Sequence, residues 1–456
     1  MVVLASIATL LALAASATAR VCTNLTIPVN ISARQGIFTL PPFTSNLDAS
    51  RFALNLTKQG SNFTDSILTG YQTVTGTYNI SAQYCRPSAD SHPAVVQYLT
   101  HGIGFDKTYW DLSYQDYTYS YASVALAAGY ATLAIDRFGV GGSYSPLADP
   151  LNTVQAPAEV SATYEISKML RAGSLPGVEH AFNKVLHVGH SFGSLQTYLL
   201  TALHPEISDG IVLTGFSMNG SWTGQTLAGW DLHLARLNQP FRFGNASAAS
   251  VLNAVRPLIS SYGGVSDIAS LAYRLLEAAG IDIPSHDIWE EFATTEVANI
   301  LTTLNSSTAA SPGQDLPSLY LTWSDLTTNQ FAFLYPGFYD LSFGLLAEAT
   351  KQPVTAGEII TLGNGAPPTS AFAGPVLVLT GNEDTIYCGG DCLATGGAGG
   401  SVPENSVKGA FPSTSGFETY IQLNTGHGIN FHYNSSGAYQ VIQDWFAKEG
   451  LGSTGS

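Results

Sequence analysis

The residues with the clearest chemical potential are Gly189-His190-Ser191-Phe192-Gly193, a G-x-S-x-G segment. An apolar run, Lys184–Val188, leads into it and a helical pattern, Leu195–Ala202, follows, so Ser191 falls on a strand-to-helix turn. Glycine at 189 and 193 leaves room for neighbouring backbone to pass close to that turn. The Ser191 hydroxyl then projects from the sheet edge at a helix N-terminus, where developing negative charge is favoured. The chemistry this suits is nucleophilic attack on a carbonyl. A second such segment does not occur, because Gly215-Phe216-Ser217 lacks the closing glycine.

A neutral serine needs a base within reach, and the base needs a carboxylate to orient it. Where a serine of this kind comes first, the acid and then the histidine follow it along the chain. Val376–Thr380 reads as a buried strand, and Gly381-Asn382-Glu383-Asp384 turns after it. Asp384 is the expected acid and Glu383 its rival. Thr425-Gly426-His427-Gly428 follows the last strand pattern, and the two glycines allow a tight loop that aims the His427 imidazole back at Ser191. His432, five residues on, is the alternative base. The oxyanion requires two backbone N–H donors. Phe192 supplies one, and Ile103, in the loop Thr100-His101-Gly102-Ile103-Gly104, is expected to supply the other. His101 lies in the wrong loop for a base and is expected to hold that loop by hydrogen bonding.

These residues need a scaffold, and the pattern of elements supplies one. Residues 20 to 90 read as exposed strands, with alternation at Tyr71–Ile80. Then come strand Ala94–Thr100, helix Tyr114–Ala128, strand Ala131–Ile135, helix Ala158–Leu170, strand Lys184–Val188, helix Leu195–Ala202 and strand Gly210–Thr214. Strands alternating with helices predict an α/β fold with a mostly parallel sheet covered on both faces. Between Thr214 and the next strand, Pro375–Thr380, lie 160 residues with helical periodicity at Leu227–Leu237, Ile268–Ala279 and Ile288–Leu304. That is too long for a loop and predicts a helical insertion. A Gly-rich loop (Gly389–Gly400), a strand (Thr419–Leu423) and a helix (Gly437–Lys448) close the chain. The implied division is a leader at 1–19, N-terminal strands and arm at 20–90, a first core half at 91–217, the insertion at 218–370 and a second core half at 371–456.

Composition narrows the setting. The chain has 456 residues, 45 % of them hydrophobic, and a net charge of −16. Its 17 Lys and Arg form no run, which argues against nucleic acid, whose phosphates need clustered cations. Residues Val2–Ala15 are mostly apolar and precede Ala17-Thr18-Ala19, the pattern of a cleaved export signal too short to anchor the chain in a bilayer. Nine Asn-x-Ser/Thr sites fit export: Asn24, Asn30, Asn55, Asn62, Asn79, Asn219, Asn245, Asn305 and Asn434. The four cysteines are expected to pair as Cys22–Cys85 and Cys388–Cys392. A metal site is the rival, but Cys388-x-x-x-Cys392 has no histidine pair beside it.

GHSFG after a strand, the His101-Gly102 loop, Asp136-Arg137-x-Gly-x-Gly after Ala131–Ile135, and the order Ser191, Asp384, His427 resemble the α/β-hydrolase superfamily, in the subgroup with His-Gly after the third strand. The likeness covers roughly 90–215 and 370–450, and the leader and glycosylation sites look like those of a secreted fungal member. The resemblance implies an eight-stranded sheet, a cap between strands six and seven, a Ser-His-acid site, an Asp136-Arg137 pair that supports the active-site loops, and no metal or organic cofactor. The cap resembles no known family. Three functions follow: a hydrolase of an ester or lactone, a peptidase anchoring a substrate amine on Glu290 or Glu291, or a non-hydrolytic cyclase or binding protein. For the first, an apolar or aromatic small-molecule ester suits Trp323, Phe331, Phe333, Tyr335, Phe338, Tyr339 and Phe343 in the cap, unless these form the cap's own core.

Overall fold

The computed structural model describes residues 20–178, 180–244, 315–363 and 366–453. Its main sheet holds β1 (Val21–Phe38), β2 (Leu68–Arg86), β3 (Val95–Thr100), β4 (Ala131–Ile135), β5 (Lys184–His190), β6 (Gly210–Thr214), β7 (Val376–Gly381) and β8 (Phe417–Gln422). The order across the sheet is β1-β2-β4-β3-β5-β6-β7-β8. β3 to β8 are parallel throughout, and β2 runs against β1 and β4. This is the α/β-hydrolase fold, with the sharp serine turn after β5. The central strands β3 to β7 are buried on both faces, as their continuous apolar runs require.

Helices cover those faces and also lie in the N-terminal arm and in the insertion between β6 and β7. The principal ones are α1 (Asn46–Thr57), α2 (Tyr121–Ala127), α3 (Ala156–Ala172), α4 (Phe192–Leu203), α5 (Leu326–Phe333), α6 (Leu341–Thr350) and α7 (Ser435–Lys448). β1 alternates from Leu25 to Gln35, and Ile27, Val29, Ile31 and Ala33 pack with Ala158, Ala162 and Ile166 of α3. The opposite face leaves Asn24, Asn30 and Asn79 exposed.

The N-terminal strands form more than an edge. β2 pairs with β4 only over Ala82–Cys85, and Ala82 is opposite Ile135 at the end of β4. The rest of the β1–β2 ribbon therefore runs on past the C-terminal end of the parallel strands, the end that carries Ser191. There it delivers α1, a helix the N-terminal alternation did not predict, onto the cap. Phe52 and Ala53 join Leu227, Trp230 and Leu234 in one apolar cluster, and Asn46 Oδ1 accepts the Leu234 N–H at 3.0 Å. The Cys22–Cys85 disulfide closes the base of the ribbon, and Cys388–Cys392 closes a short loop after β7.

Two expected helices differ. The Tyr114–Ala128 pattern becomes α2 over Tyr121–Ala127 alone, because Gln115, Asp116 and Tyr117 take positive φ and Ser120 starts a new helix by accepting the Ser123 N–H. The Leu227–Leu237 pattern breaks after a helix at Thr223–Gly229. Asp231 has φ 44°, and His233–Leu234 becomes an extended strand paired with Leu321–Thr322. A third short strand, Val354–Thr355, completes this small antiparallel sheet within the insertion. The expected leader at 1–19 and the helices at Ile268–Ala279 and Ile288–Leu304 lie outside the described residues.

The two disulfides differ in the chain they restrain. Closing a loop of 63 residues removes about 4 kcal/mol of unfolded-chain freedom, and closing one of 4 removes about 2 kcal/mol. Replacing Cys22 and Cys85 together by alanine is thus expected to lower the stability read from urea unfolding more than replacing Cys388 and Cys392. The reverse order would show that the ribbon contributes little to global stability.

Candidate active site

β5 ends at His190, and Ser191 takes φ 55° and ψ −117° before α4 begins. A non-glycine residue in such a conformation costs roughly 1–3 kcal/mol and needs its surroundings to impose it. Those surroundings are backbone. The Ser191 N–H donates to the Thr214 carbonyl at 2.8 Å. A Cβ on Gly189 would lie 2.4 Å from the Gly193 oxygen, and one on Gly193 would lie 2.2 Å from the Thr100 oxygen. The glycines of the motif are therefore fixed by contact with the turn and with the end of β3.

The loops after β7 and β8 meet in the same way. A Cβ on Gly381, the last residue of β7, would lie 2.0 Å from the Thr425 oxygen. Asp384, three residues on, and His427 are both fully buried. His427 Nδ1 lies 2.9 Å from Asp384 Oδ2. A carboxylate only accepts, so Nδ1 carries a proton, and in the neutral ring Nε2 then holds the lone pair. Asp384 Oδ2 also accepts from the Thr380 hydroxyl at 2.7 Å, and Oδ1 accepts from the Tyr387 N–H at 2.9 Å. Burial alone would raise the Asp384 pKa. The facing His427 and the three donated hydrogen bonds outweigh it, and the pKa ends below the ordinary carboxylate value. Among the described residues His427 Nε2 is buried with no hydrogen-bond partner. Leaving such a group unpaired costs about 1–3 kcal/mol. Glu383 points elsewhere and accepts from Asn382.

The loop after β3 closes on the serine. A Cβ on Gly102 would lie 2.9 Å from Ser191 Cβ, which brings the adjacent Ile103 to the nucleophile turn. Among the described residues neither the Ile103 N–H nor the Phe192 N–H has a backbone acceptor. His101 holds this loop. Its Nδ1 donates to the Gly102 oxygen at 2.8 Å and its Nε2 accepts the Arg137 N–H at 3.0 Å. Asp136 accepts from the Lys107 N–H at 2.8 Å, so both members of the Asp136-Arg137 pair support the stretch 101–107. Arg137 itself is buried between Glu159 at 2.9 Å and Glu358 at 2.6 Å.

An aromatic roof lies over these loops. Phe333 is 5.8 Å from the His427 ring and 5.1 Å from Phe105, and Trp323 is 5.0 Å from Phe333. The Trp323 ring fills the space beside Gly104. Its Nε1 donates to Glu348 at 2.7 Å, and Glu348 in turn pairs with the buried Lys351. Ser191 is left 8 % exposed. Of the other cap aromatics, Phe343 packs on Tyr114 and Tyr119, Tyr335 stacks on Phe338, Tyr339 donates to Gln330, and Phe331 is exposed. Glu290, Glu291, Asn245 and Asn305 lie outside the described residues.

Both ring nitrogens of His432 are engaged by backbone. Its Nδ1 donates to the Gly428 oxygen at 3.0 Å, and its Nε2 accepts from the Gly426 and Tyr335 N–H groups at 3.0 Å and 2.9 Å. The sequence offered no sign of this role, nor of Thr380 as a second donor to Asp384. The only cluster with metal-like spacing among the described residues is Cys22, Cys85 and Asp111, and its cysteines are spent in a disulfide.

No family model and no curated protein matches the chain. Among solved structures it is similar to an esterase from Thermogutta terrifontis, at 12 % identity and a TM-score of 0.38, covering 82 % of this chain and 95 % of that one. It is also similar to an epoxide hydrolase from an endophytic Streptomyces, at 15 % identity and 0.40, covering 82 % and 92 %. A third is Est1E from Butyrivibrio proteoclasticus, described with ferulic acid bound, at 10 % and 0.40, covering 82 % and 96 %.

The buried histidines make stability depend on pH. Burial, aided for His101 by Arg137 and for His187 by Arg171, lowers their pKa from 6.5 to about 3. Burial lowers that of His432 to about 4, against hydrogen bonds that act to raise it. In the unfolded chain each takes up a proton near 6.5. The unfolded state therefore binds more protons below that pH, and stability is full above it and falls as pH drops towards about 4. The urea midpoint is expected to decline between about pH 7 and 5, less steeply in His187→Gln. A flat profile would mean these imidazoles are not neutral in the native state.

Proposed function

We propose that this chain is a secreted serine hydrolase that cleaves a carboxylic ester or lactone through an acyl-enzyme. The observation that carries the reading is the His427 imidazole. One nitrogen is fixed by a buried carboxylate and the other is buried and unpaired among the described residues; the ring lies 4.9 Å from that of His190, the residue before Ser191 in its strained turn. A buried lone pair left open beside the serine turn suits a group that receives a proton there.

In this reading the Ser191 oxygen attacks the substrate carbonyl and its proton passes to His427 Nε2. The tetrahedral oxyanion is held by the N–H groups of Phe192 and Ile103, each worth roughly 3 kcal/mol. Collapse breaks the bond to the leaving alkoxide, which takes the proton from His427. Water then attacks the acyl-enzyme, gives its proton to His427, and Ser191 is restored. Asp384 holds the imidazole in its Nδ1–H form and stabilises the imidazolium. A serine that opened an epoxide would be left as an ether, which water and a histidine do not cleave, so the nucleophile favours an acyl substrate. The apolar roof of Phe105, Trp323 and Phe333 favours an apolar or aromatic ester. Two disulfides suit an oxidising compartment, and sugars on Asn24, Asn30, Asn62 and Asn79 would meet solvent. No helix among the described residues is long and apolar enough to cross a membrane.

The test is turnover of p-nitrophenyl esters, a lactone and an aminoacyl anilide, alongside labelling by a fluorophosphonate. Ser191→Ala is expected to abolish both. Asp384→Asn is expected to lower kcat on the order of 10⁴-fold by reversing the imidazole tautomer, with Glu383→Gln close to wild type. Turnover of the anilide without any ester would replace the ester reading by the peptidase one. No labelling of folded wild type would sink both.

A further inference from the structure

His432 contacts the main chain on both sides of His427 and the main chain of the cap. The ring is fully buried at the end of the short helical turn Ile429–Phe431. Its Nδ1 must donate, because the Gly428 oxygen facing it only accepts. The bare Nε2 is then shared by two N–H groups, that of Gly426 just before His427 and that of Tyr335 just after α5. The same two segments are joined again on either side. The Gly428 N–H donates to the Phe333 oxygen at 2.8 Å, and the Tyr433 N–H donates to the Phe338 oxygen at 3.1 Å. Tyr339 and His432 form an isolated antiparallel bridge. The peptides flanking His427 thus take their partners from His432 and from cap residues 333–335.

We propose that His432 is a positioning residue that couples the cap to the base, so that His427 is aimed at Ser191 only while residues 333–339 of the cap are seated. Lifting that segment removes the Gly428–Phe333 bond and one of the two donors on the His432 lone pair, and it frees the backbone from which the His427 side chain projects. Phe333, whose ring faces His427, moves with it. Cap position and base alignment are then one equilibrium. The inference rests on the hydrolase reading, since it gives His427 the role of base.

Three variants test it on the ester that the wild type turns over. His432→Leu removes the donor and the acceptor. His432→Gln keeps an acceptor of similar reach. Tyr335→Pro deletes the cap N–H together with the ring that stacks on Phe338, and Leu334 before it is already extended at φ −117° and ψ 137°, as a residue preceding proline should be. Rates are taken per folded molecule, with the folded fraction from near-UV circular dichroism. His432→Leu is expected to lower kcat and fluorophosphonate labelling on the order of 10²-fold, with KM within about twofold. His432→Gln should recover part of the loss, and Tyr335→Pro should fall between it and wild type. If His432→Leu does not fold, Tyr335→Pro decides. Wild-type kcat in folded His432→Leu overturns the positioning role, and wild-type kcat in Tyr335→Pro overturns the coupling. Absence of Ser191-dependent labelling in the wild type overturns the hydrolase reading instead, and the two failures are thereby told apart.

Discussion

Close approach of backbone to backbone at the C-terminal end of the sheet is the constraint on which the rest depends. Gly193 touches the end of β3, Gly189 touches Gly193, Gly102 touches Ser191, and Gly381 touches Thr425. Any side chain at these points would push two loops apart by an ångström or more. The crowding leaves the Ser191 turn no relaxed alternative, and it brings the Asp384 loop and the His427 loop within one hydrogen bond of each other. A site assembled in this manner is held by main chain, and its precision does not rely on long side chains.

Above that layer, buried charge does the fastening. The chain is only 11 % charged, yet Arg137, Glu159, Glu358, Glu348 and Lys351 are all inside. Arg137 extends the turn after β4, Glu159 sits on α3, and Glu358 follows the last short strand of the insertion. One guanidinium thus ties the core to the exit of the cap. Lys351 and Glu348 do the same for Trp323, which fills the space at Gly104. Such groups add little net stability over well-packed apolar ones, and removing a single partner is costly. Their effect is to admit one arrangement of cap on core.

Much of this could be read from the sequence, and the gaps have physical causes. The central strands are apolar on both faces, so their runs stand out and their ends agree with the structure to within two residues. GHSFG is visible because its spacing and its context are both local. Sequence could not tell which of Asp384 and Glu383 faces His427, since two adjacent acids in one turn differ only in direction, and the direction of Asp384 is set by Thr380 and Tyr387. Tyr114–Ala128 carried helical periodicity, but three consecutive left-handed residues override it. His432 was legible only as a histidine near a histidine, because its partners are backbone groups 97 and 6 residues away. Local pattern cannot register a contact of that kind.

The ribbon of β1 and β2 carries a geometric consequence for anything attached to the chain. Val21 pairs with Arg86, below the point where β2 joins β4, whereas Gly70 and Ile37 lie beyond the serine end of the sheet. The polypeptide therefore begins its described course on the side remote from Ser191 and travels along the sheet edge before reaching the cap. A tether, tag or carrier joined ahead of residue 20 departs from that far side. Fixed to a bead by such a joint, the molecule would turn the Ser191 end of its sheet outward to the medium.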